Sequence, residues 1–389
     1  MLACVWPTKG ALVRAAGTVL VMAAVCVGTG AMAPAPAGAH ETDQYTMPLN
    51  VPMADMGDWL DAVHFAALQA AVEKLNKETG AALALRDPGA REAELTRIRA
   101  PMHIVEAVYE NFDNAFTEIQ DIEDALRSDW VKQAYPGQIA IWRPESWIYS
   151  GTHYWVDPRQ IVLQFDSSTL KAYGVYFGTD KLSHFHHMGR IYYENVLARR
   201  AQGMTEDEAI RWVVKQYSTD GPTSEANLLG FMATGVYSNA DLAADYSGYK
   251  FCRNLTESTY IKGELRPPML VRVGEYWRLN KQVRPESGFF GAFISDHWNE
   301  ALNPSWWEWD IHDDVVATLH ERARSIREFY TKVDGRPDDP AYYARLAREL
   351  STMDGEDYGH CREWDRLVTL DQICWPDESP MPGARTAGR

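Results

Sequence analysis

Apolar residues recur at helical spacing along most of the chain, and this pattern predicts a mainly α-helical protein. The longest pattern runs from Met102 to Arg127, with apolar positions on one side and acidic positions on the other. Two further helix starts carry capping signals, Thr205 followed by Glu208 and Ser238 followed by Asp241. The other helices are expected over 58–78, 90–99, 180–201, 206–218, 225–235, 239–255, 311–332 and 340–352.

Two stretches depart from the helical pattern. Residues 135–177 combine prolines with short apolar runs, which predicts loops with two or three short strands. Residues 262–310 are rich in Pro, Gly and aromatic pairs, which predicts a long ordered loop with room for a short hairpin. The expected fold is one irregular, mainly α, multi-helix domain over 40–375, with a small β or loop insertion near 135–177 and a flexible tail at 376–389.

The amino terminus has the pattern of a secretory signal over residues 1–39. Lys9 and Arg14 are followed by an apolar stretch from Ala15 to Ala33, and Ala37-Gly38-Ala39 offers small residues for cleavage before His40. The alternative interpretation is an uncleaved membrane anchor, because the apolar stretch approaches spanning length. Cleavage predicts a periplasmic or secreted protein.

Composition narrows the classes of function. The chain has 389 residues, of which 46% are hydrophobic, and its formal charge is −16. This apolar content excludes full disorder, and the shortage of Lys and Arg argues against nucleic acid as a partner. Since one apolar stretch alone nears spanning length, a polytopic membrane protein is excluded as well. An acidic, aromatic-rich globular protein remains.

Cysteine usage fits export but not a disulfide scaffold. Cleavage before His40 would leave three cysteines, Cys252, Cys361 and Cys374. An exported chain meets an oxidising compartment, where the neighbouring Cys361 and Cys374 can form one disulfide. Cys252 falls in a helical pattern, which favours a buried free thiol.

Three of the eleven histidines lie within four residues of one predicted helix. On a regular α-helix, Asp180, His184 and His187 share one stripe that continues to Glu194, whereas His186 points elsewhere. Two imidazoles and a carboxylate suit zinc and leave a position for a water molecule, which the metal would activate. The alternative interpretation is a solvated polar face on which Asp180 stabilises the helix dipole.

The same helix opens with Asp180, Lys181, His184 and Phe185. This Asp-Lys-x-x-His-Phe segment resembles one in VanZ-like proteins and in some exported bacterial proteins of unknown function. VanZ-like proteins are polytopic in the membrane and this chain is not, so the resemblance implies neither a fold nor an activity. It implies a bacterial envelope setting.

A second predicted helix carries Asp241 and Asp245 among apolar residues, so this helix should be buried. Buried carboxylates need partners, and Lys250, Arg253 or the histidine-bearing helix can supply them. One hypothesis gives Glu194, Asp241 and Asp245 acid–base roles beside the metal. The alternative interpretation is a structural ion pair.

These features predict a zinc-dependent hydrolase of an envelope lipid, phosphoester or glycan. The rival hypothesis is a non-catalytic envelope binding or assembly protein that uses exposed aromatic residues, with peripheral membrane contact as one mode. A third is a metal-free glycan-cleaving enzyme that uses paired carboxylates. The tryptophans on which the rival depends are Trp142, Trp147, Trp155, Trp298, Trp306, Trp307 and Trp309.

Overall fold

The computed structural model describes residues 52–112, 118–135, 137, 140–141, 168–231 and 235–377. The predicted signal, the tryptophans at 142, 147 and 155, and nearly all of the predicted tail lie outside these ranges. Within them the protein is mainly α-helical with small antiparallel strand pairs, as the hydrophobic pattern predicts. No helix in these ranges is both long enough and apolar enough to cross a membrane.

Twelve α-helices and nine short strands are present in the described ranges. The helices are α1 (Gly57–Leu83), α2 (Pro88–Arg99), α3 (Pro101–Tyr109), α4 (Glu118–Arg127), α5 (Asp129–Ala134), α6 (Asp180–Ser183), α7 (Gly189–Ala201), α8 (Glu206–Lys215), α9 (Asn239–Asn254), α10 (Trp309–Glu328), α11 (Pro340–Glu349) and α12 (Leu370–Cys374). The strands are β1 (Ala140–Ile141), β2 (Thr169–Ala172), β3 (Val175–Gly178), β4 (Val236–Tyr237), β5 (Thr259–Ile261), β6 (Glu264–Arg266), β7 (Leu270–Val273), β8 (Tyr276–Leu279) and β9 (Trp306–Trp307).

Both predicted helix caps are confirmed. The Thr205 hydroxyl accepts from the backbone N–H of Glu208, whose carboxylate accepts from the backbone N–H of Thr205 in return. The Ser238 hydroxyl accepts from the backbone N–H of Asp241 at 3.1 Å. These bonds satisfy donors that the first turn of each helix leaves without a partner.

Two predicted helices are wrong. The pattern over 102–127 is interrupted, because the Asn111 side chain donates to the carbonyls of Ala107 and Val108 and ends α3. Residues 225–231 form turns rather than a helix, because the backbone N–H of Glu225 donates to the Tyr217 carbonyl of the preceding helical run. Local periodicity does not reveal either competing hydrogen bond.

The region 262–310 holds more regular structure than the predicted loop. Strands β5 and β6 form one hairpin and β7 and β8 another. Strands β1, β2 and β3 form an antiparallel sheet near 135–177, where the insertion was predicted. Strand β4 pairs with β9, with Val236 opposite Trp307 and Tyr237 opposite Trp306. This last pairing brings the chain just after residue 300 beside the start of α9.

Buried side chains form two hydrophobic clusters, one that includes residues of α1, α3, α7, α8 and α9 and one that includes residues of α10, α11 and α12. Trp298 and Trp307 are buried in these clusters, whereas the side chain of Trp309 is 88% exposed. Cys361 and Cys374 are free thiols, so the structure contains no disulfide between them. Cys252 is buried and free, as its position in a helical pattern indicated.

Helices α7 and α9 approach each other through two glycines. A Cβ on Gly189 would lie 2.4 Å from the Cα of Gly248, and a Cβ on Gly248 would lie 1.9 Å from the carbonyl oxygen of Phe185. Any side chain at either position would therefore separate the helices. Phe185 belongs to a π-helical turn, His184–Met188, which joins α6 to α7. The two glycines thus set the position of this turn against α9.

A buried histidine pair lies on the other side of the same π turn. The Nε2 atoms of His64 and His186 are 2.9 Å apart, and the rings stack on Phe290 and Phe112 respectively. His64 Nδ1 lies 2.7 Å from the carbonyl oxygen of Leu60, so it donates there and leaves its Nε2 to accept from His186. His64 is therefore assigned as the neutral tautomer that is protonated on Nδ1.

Acid should destabilise the fold through this pair. Burial, together with the neighbouring His186, holds the pKa of His64 well below its usual value. A histidine in the unfolded chain titrates at about pH 6.5. The contribution of neutral His64 to the stability of the fold is therefore complete above that pH and is lost as the pH falls below it. We expect the melting temperature, followed by circular dichroism, to drop between about pH 6.5 and about pH 5. The drop should be smaller in His64→Phe and unchanged in His320→Gln, which replaces an exposed histidine. An equal drop in His64→Phe would contradict the assignment.

Candidate functional site

Lys181 is fully buried among three carboxylates that come from separate parts of the chain. Its ammonium nitrogen lies 2.7 Å from Asp180 Oδ2, 2.6 Å from Asp241 Oδ1 and 2.5 Å from Glu300 Oε1. Asp180 begins α6, Asp241 lies in the first turn of α9, and Glu300 lies in the turn before β9. A buried ammonium needs such partners, because the protein interior solvates it poorly.

His184 connects this group to a further carboxylate. Its Nδ1 lies 2.8 Å from Asp245 Oδ1, and its Nε2 lies 3.4 Å from Asp241 Oδ2. Asp241 and Asp245 are one turn apart on α9 and so present their carboxylates to the same neighbour. The His184 side chain is 20% exposed, more than the side chains of Asp241 and Asp245 that contact it. It forms the accessible edge of an otherwise buried site.

Ser238 orders the acids at the start of α9. Its hydroxyl donates to Glu300 Oε1 at 3.0 Å while accepting from the backbone N–H of Asp241. Its own backbone N–H donates to Glu225 Oε1 at 2.8 Å. The N-cap residue that starts the helix therefore also positions Glu225 and Glu300, both of which are buried.

The structure brings together three side chains that could ligate a metal ion, but they are not the three that the sequence predicted. Within the described ranges, a set of ligand atoms close enough to hold a metal ion is provided by Asp180, Asp241 and Glu300, whose atoms lie within 4.8 Å of one another. Of the predicted ligands, Asp180 belongs to this group and His184 and His187 do not. The Oδ1 atom of Asp180 is buried and, within the same ranges, has no hydrogen-bond partner. The group therefore has a donor atom to offer.

The π turn explains why the predicted stripe is broken. It begins at His184 and accommodates one more residue per turn than an α-helix. Positions after it are therefore rotated from the regular helix on which the stripe was projected. Asp180 precedes the π turn and His184 begins it, so both still lie against α9. Beyond it, His187 is half-buried and Glu194 lies exposed on α7.

Buried acids outnumber the basic groups that contact them at this site. Burial would lower the pKa of His184, but Asp241 and Asp245 outweigh it and raise the pKa to about 10, so His184 is cationic at neutral pH. Burial raises the pKa of Asp245 to about 6. It also raises the pKa of Asp180, although Lys181 opposes the shift. In the described part of the chain two basic groups, Lys181 and His184, thus contact four buried acids: Asp180, Asp241, Asp245 and Glu300.

Of the partners that the sequence offered to Asp241 and Asp245, the histidine-bearing helix is the one that contacts them. Lys250 pairs with Asp354 and Glu356 instead, and Arg253 pairs with Glu206 and Glu257. The structure thus brings the two predicted acids of α9 together with two members of the predicted stripe, Asp180 and His184.

Sequence reasoning missed three members of the cluster: Lys181, Glu225 and Glu300. Lys181 was quoted only as part of a short resemblance. Glu300 follows Trp298 and precedes the apolar pair Ala301-Leu302, and a lone acid in such a run is the signal that could have found it. Glu225 was assigned to a helix that does not form.

Comparisons of the chain with protein-family models, curated proteins and solved structures find no match.

Proposed function

We propose that this protein is a divalent-cation-dependent hydrolase of the bacterial envelope. The observation that carries the proposal is the convergence of Asp180, Asp241 and Glu300 at ligand distance, with His184 at the accessible edge of the group. The predicted signal and the resemblance at Asp180–Phe185 support the envelope setting. The proposed substrate is a lipid, a phosphoester or a glycan of that compartment.

His184 is suited to act as the general acid. Its raised pKa keeps the imidazolium form at neutral pH, and its Nδ1 is held by Asp245. In the described part of the chain its Nε2 makes the longer contact, 3.4 Å to Asp241 Oδ2, so this nitrogen can instead donate to a leaving-group oxygen and protonate it. A water molecule adds hydroxide to the electrophilic atom. The proton of that water is taken up at Nε2 of the now neutral His184, which restores the imidazolium while Asp245 holds Nδ1.

The donor set indicates the kind of cation. Three carboxylates suit Mg²⁺, Mn²⁺ or Ca²⁺, whereas protein zinc sites are rich in imidazole and thiolate. The predicted zinc depended on two histidines that are not in the group. We therefore propose an oxygen-preferring cation, which would polarise the scissile group and lower the pKa of a bound water.

Replacing His184 by Gln should reduce hydrolysis by about 10²–10⁴-fold, because proton transfer to the leaving group is lost. The measurement is product release from p-nitrophenyl esters and phosphoesters, phospholipid and peptidoglycan, with elemental analysis of the same dialysed protein. His320→Gln, on an exposed face of α10, is the matched control and should keep wild-type rates.

Two outcomes would contradict the proposal: dialysed protein without stoichiometric metal and without activity on added Mg²⁺, Mn²⁺ or Ca²⁺, or a His184→Gln variant as active as the wild type. Glycan release that persists in a chelator would instead favour the metal-free glycan-cleaving enzyme.

The binding-protein alternative keeps one observation in its favour. Trp309 is 88% exposed at the start of α10, a position where an aromatic side chain can stack on a sugar or enter a lipid surface. Trp298 and Trp307 are buried and do not contribute to such a surface. Retention on peptidoglycan or lipid vesicles that is lost in Trp309→Ser and kept in His184→Gln, without product release, would favour this function over the hydrolase.

A further inference from the structure

We infer that the Lys181 ammonium and a divalent cation are alternative occupants of the Asp180–Asp241–Glu300 group, so that Lys181 acts as an internal competitor for the cation. The inference rests on the cation site of the proposed function, and not on its hydrolytic reaction. It makes Lys181 the residue that sets the cation affinity of the site.

The first constraint is spatial. The Lys181 nitrogen lies within 2.5–2.7 Å of one oxygen from each of the three carboxylates. A divalent cation bound to those oxygens would need bonds of about 2.0–2.6 Å. The space between the three carboxylates is therefore already filled, and a cation at these distances would overlap the ammonium. One of the two has to leave.

The second constraint is electrostatic. An ammonium and a divalent cation repel strongly at such short range in a buried site. In the described part of the chain the carboxylates nevertheless outnumber the ammonium, since Asp180, Asp241 and Glu300 all contact it. The Oδ1 atom of Asp180, which has no hydrogen-bond partner among the described residues, supplies a ligand atom that the ammonium does not use. The group thus attracts a second cation but cannot hold it beside the first.

The third constraint is mechanical. Lys181 is fully buried and its stem belongs to the same helical run as His184, three residues later. Its withdrawal therefore requires the packing around α6 and the adjoining π turn, which carries His184, to rearrange. Occupancy of the carboxylates and the position of His184 are coupled through this segment. The lysine links cation binding to the geometry of the accessible edge.

Lys181→Met tests the inference, because it removes the ammonium and keeps an apolar stem. The full chain, freed of metal with a chelator, is titrated with Mn²⁺ by calorimetry and by the electron paramagnetic resonance signal of free Mn²⁺. We expect the variant to bind Mn²⁺ at least about tenfold more tightly than the wild type. Its melting temperature should also rise more on adding Mn²⁺. Lys250→Met is the matched control, since Lys250 is also buried between two carboxylates, and it should bind Mn²⁺ as the wild type does.

Asp180→Asn in the Lys181→Met background should abolish the added affinity. Three results would overturn the inference: Lys181→Met binds Mn²⁺ no more tightly than the wild type, the added affinity survives Asp180→Asn, or Lys181→Met stays unfolded both with and without Mn²⁺. The last counts against it, because the cation should replace the missing charge. A chain that shows the tighter Mn²⁺ binding but hydrolyses nothing would contradict the proposed hydrolase alone.

Discussion

Lys181→Met should lower the free energy of unfolding by about 3–5 kcal/mol in cation-free buffer, which is a large part of the stability of an ordinary domain. The reason is that the substitution leaves Asp180, Asp241 and Glu300 without their shared ammonium at a buried position. Carboxylates in this position must either stay charged without a counterion or bind protons. Urea denaturation followed by tryptophan fluorescence, extrapolated linearly to water, measures the loss.

Lys250→Met provides a matched comparison for this expected loss. Lys250 is as deeply buried, but the side chains of its partners Asp354 and Glu356 are 13% and 47% exposed, so water can solvate them once the lysine is gone. We expect its loss to be about 1–2 kcal/mol. If the two variants lost the same free energy of unfolding, the Lys181 cluster would contribute no more to stability than a partly solvated ion pair does.

Local periodicity was sufficient to identify two pairs of site residues, but it could not predict how the two pairs contact each other. Asp180 and His184 are four residues apart, as are Asp241 and Asp245, and each pair lies on one helix face as the spacing predicts. The contact between the pairs depends on how α9 packs against the π turn. Sequence reasoning proposed that contact as one option among several, because buried acids require partners.

Glu300 shows where prediction from sequence ended. It lies in a segment predicted as a loop, and no periodic pattern relates it to Asp241. Two long-range features place it there: the pairing of β4 with β9, and the Ser238 hydroxyl, which contacts both acids. Such contacts between distant segments are decided by packing of the whole chain, which a single sequence does not display.

The π turn is the other reason for the difference. A regular helix of 3.6 residues per turn predicts that His187 continues the stripe of Asp180 and His184. The observed turn at His184–Met188 shifts the positions that follow. The turn packs against a segment that is distant in sequence, since α9 approaches it closely at Gly248. The signal in the sequence was therefore two glycines in different helices, and neither is informative alone.

Gly248→Ala should consequently disturb both the fold and the site. The added Cβ would lie 1.9 Å from the carbonyl oxygen of Phe185, and a backbone atom cannot move aside as a flexible side chain can. Helix α9 and the π turn must separate, which carries Asp245 away from His184. We expect a loss of about 3 kcal/mol or more in the free energy of unfolding, at the upper end of overpacking effects. The pKa of His184, measured by NMR titration, should fall from about 10 towards its ordinary value as the two carboxylates recede.

Gly80→Ala separates this effect from the general consequence of adding a methyl group. Gly80 lies inside α1, where the nearest atom to an added Cβ is the Tyr276 hydroxyl at 4.0 Å. Alanine there should stabilise the protein by about 0.5–1 kcal/mol, because glycine loses more backbone freedom in a helix. The two substitutions are chemically identical and should have opposite signs. A Gly248→Ala variant that is as stable as the wild type, with an unchanged His184 titration, would show that α9 and the π turn do not depend on this contact. The coupling between helix packing and the site would then have to be abandoned.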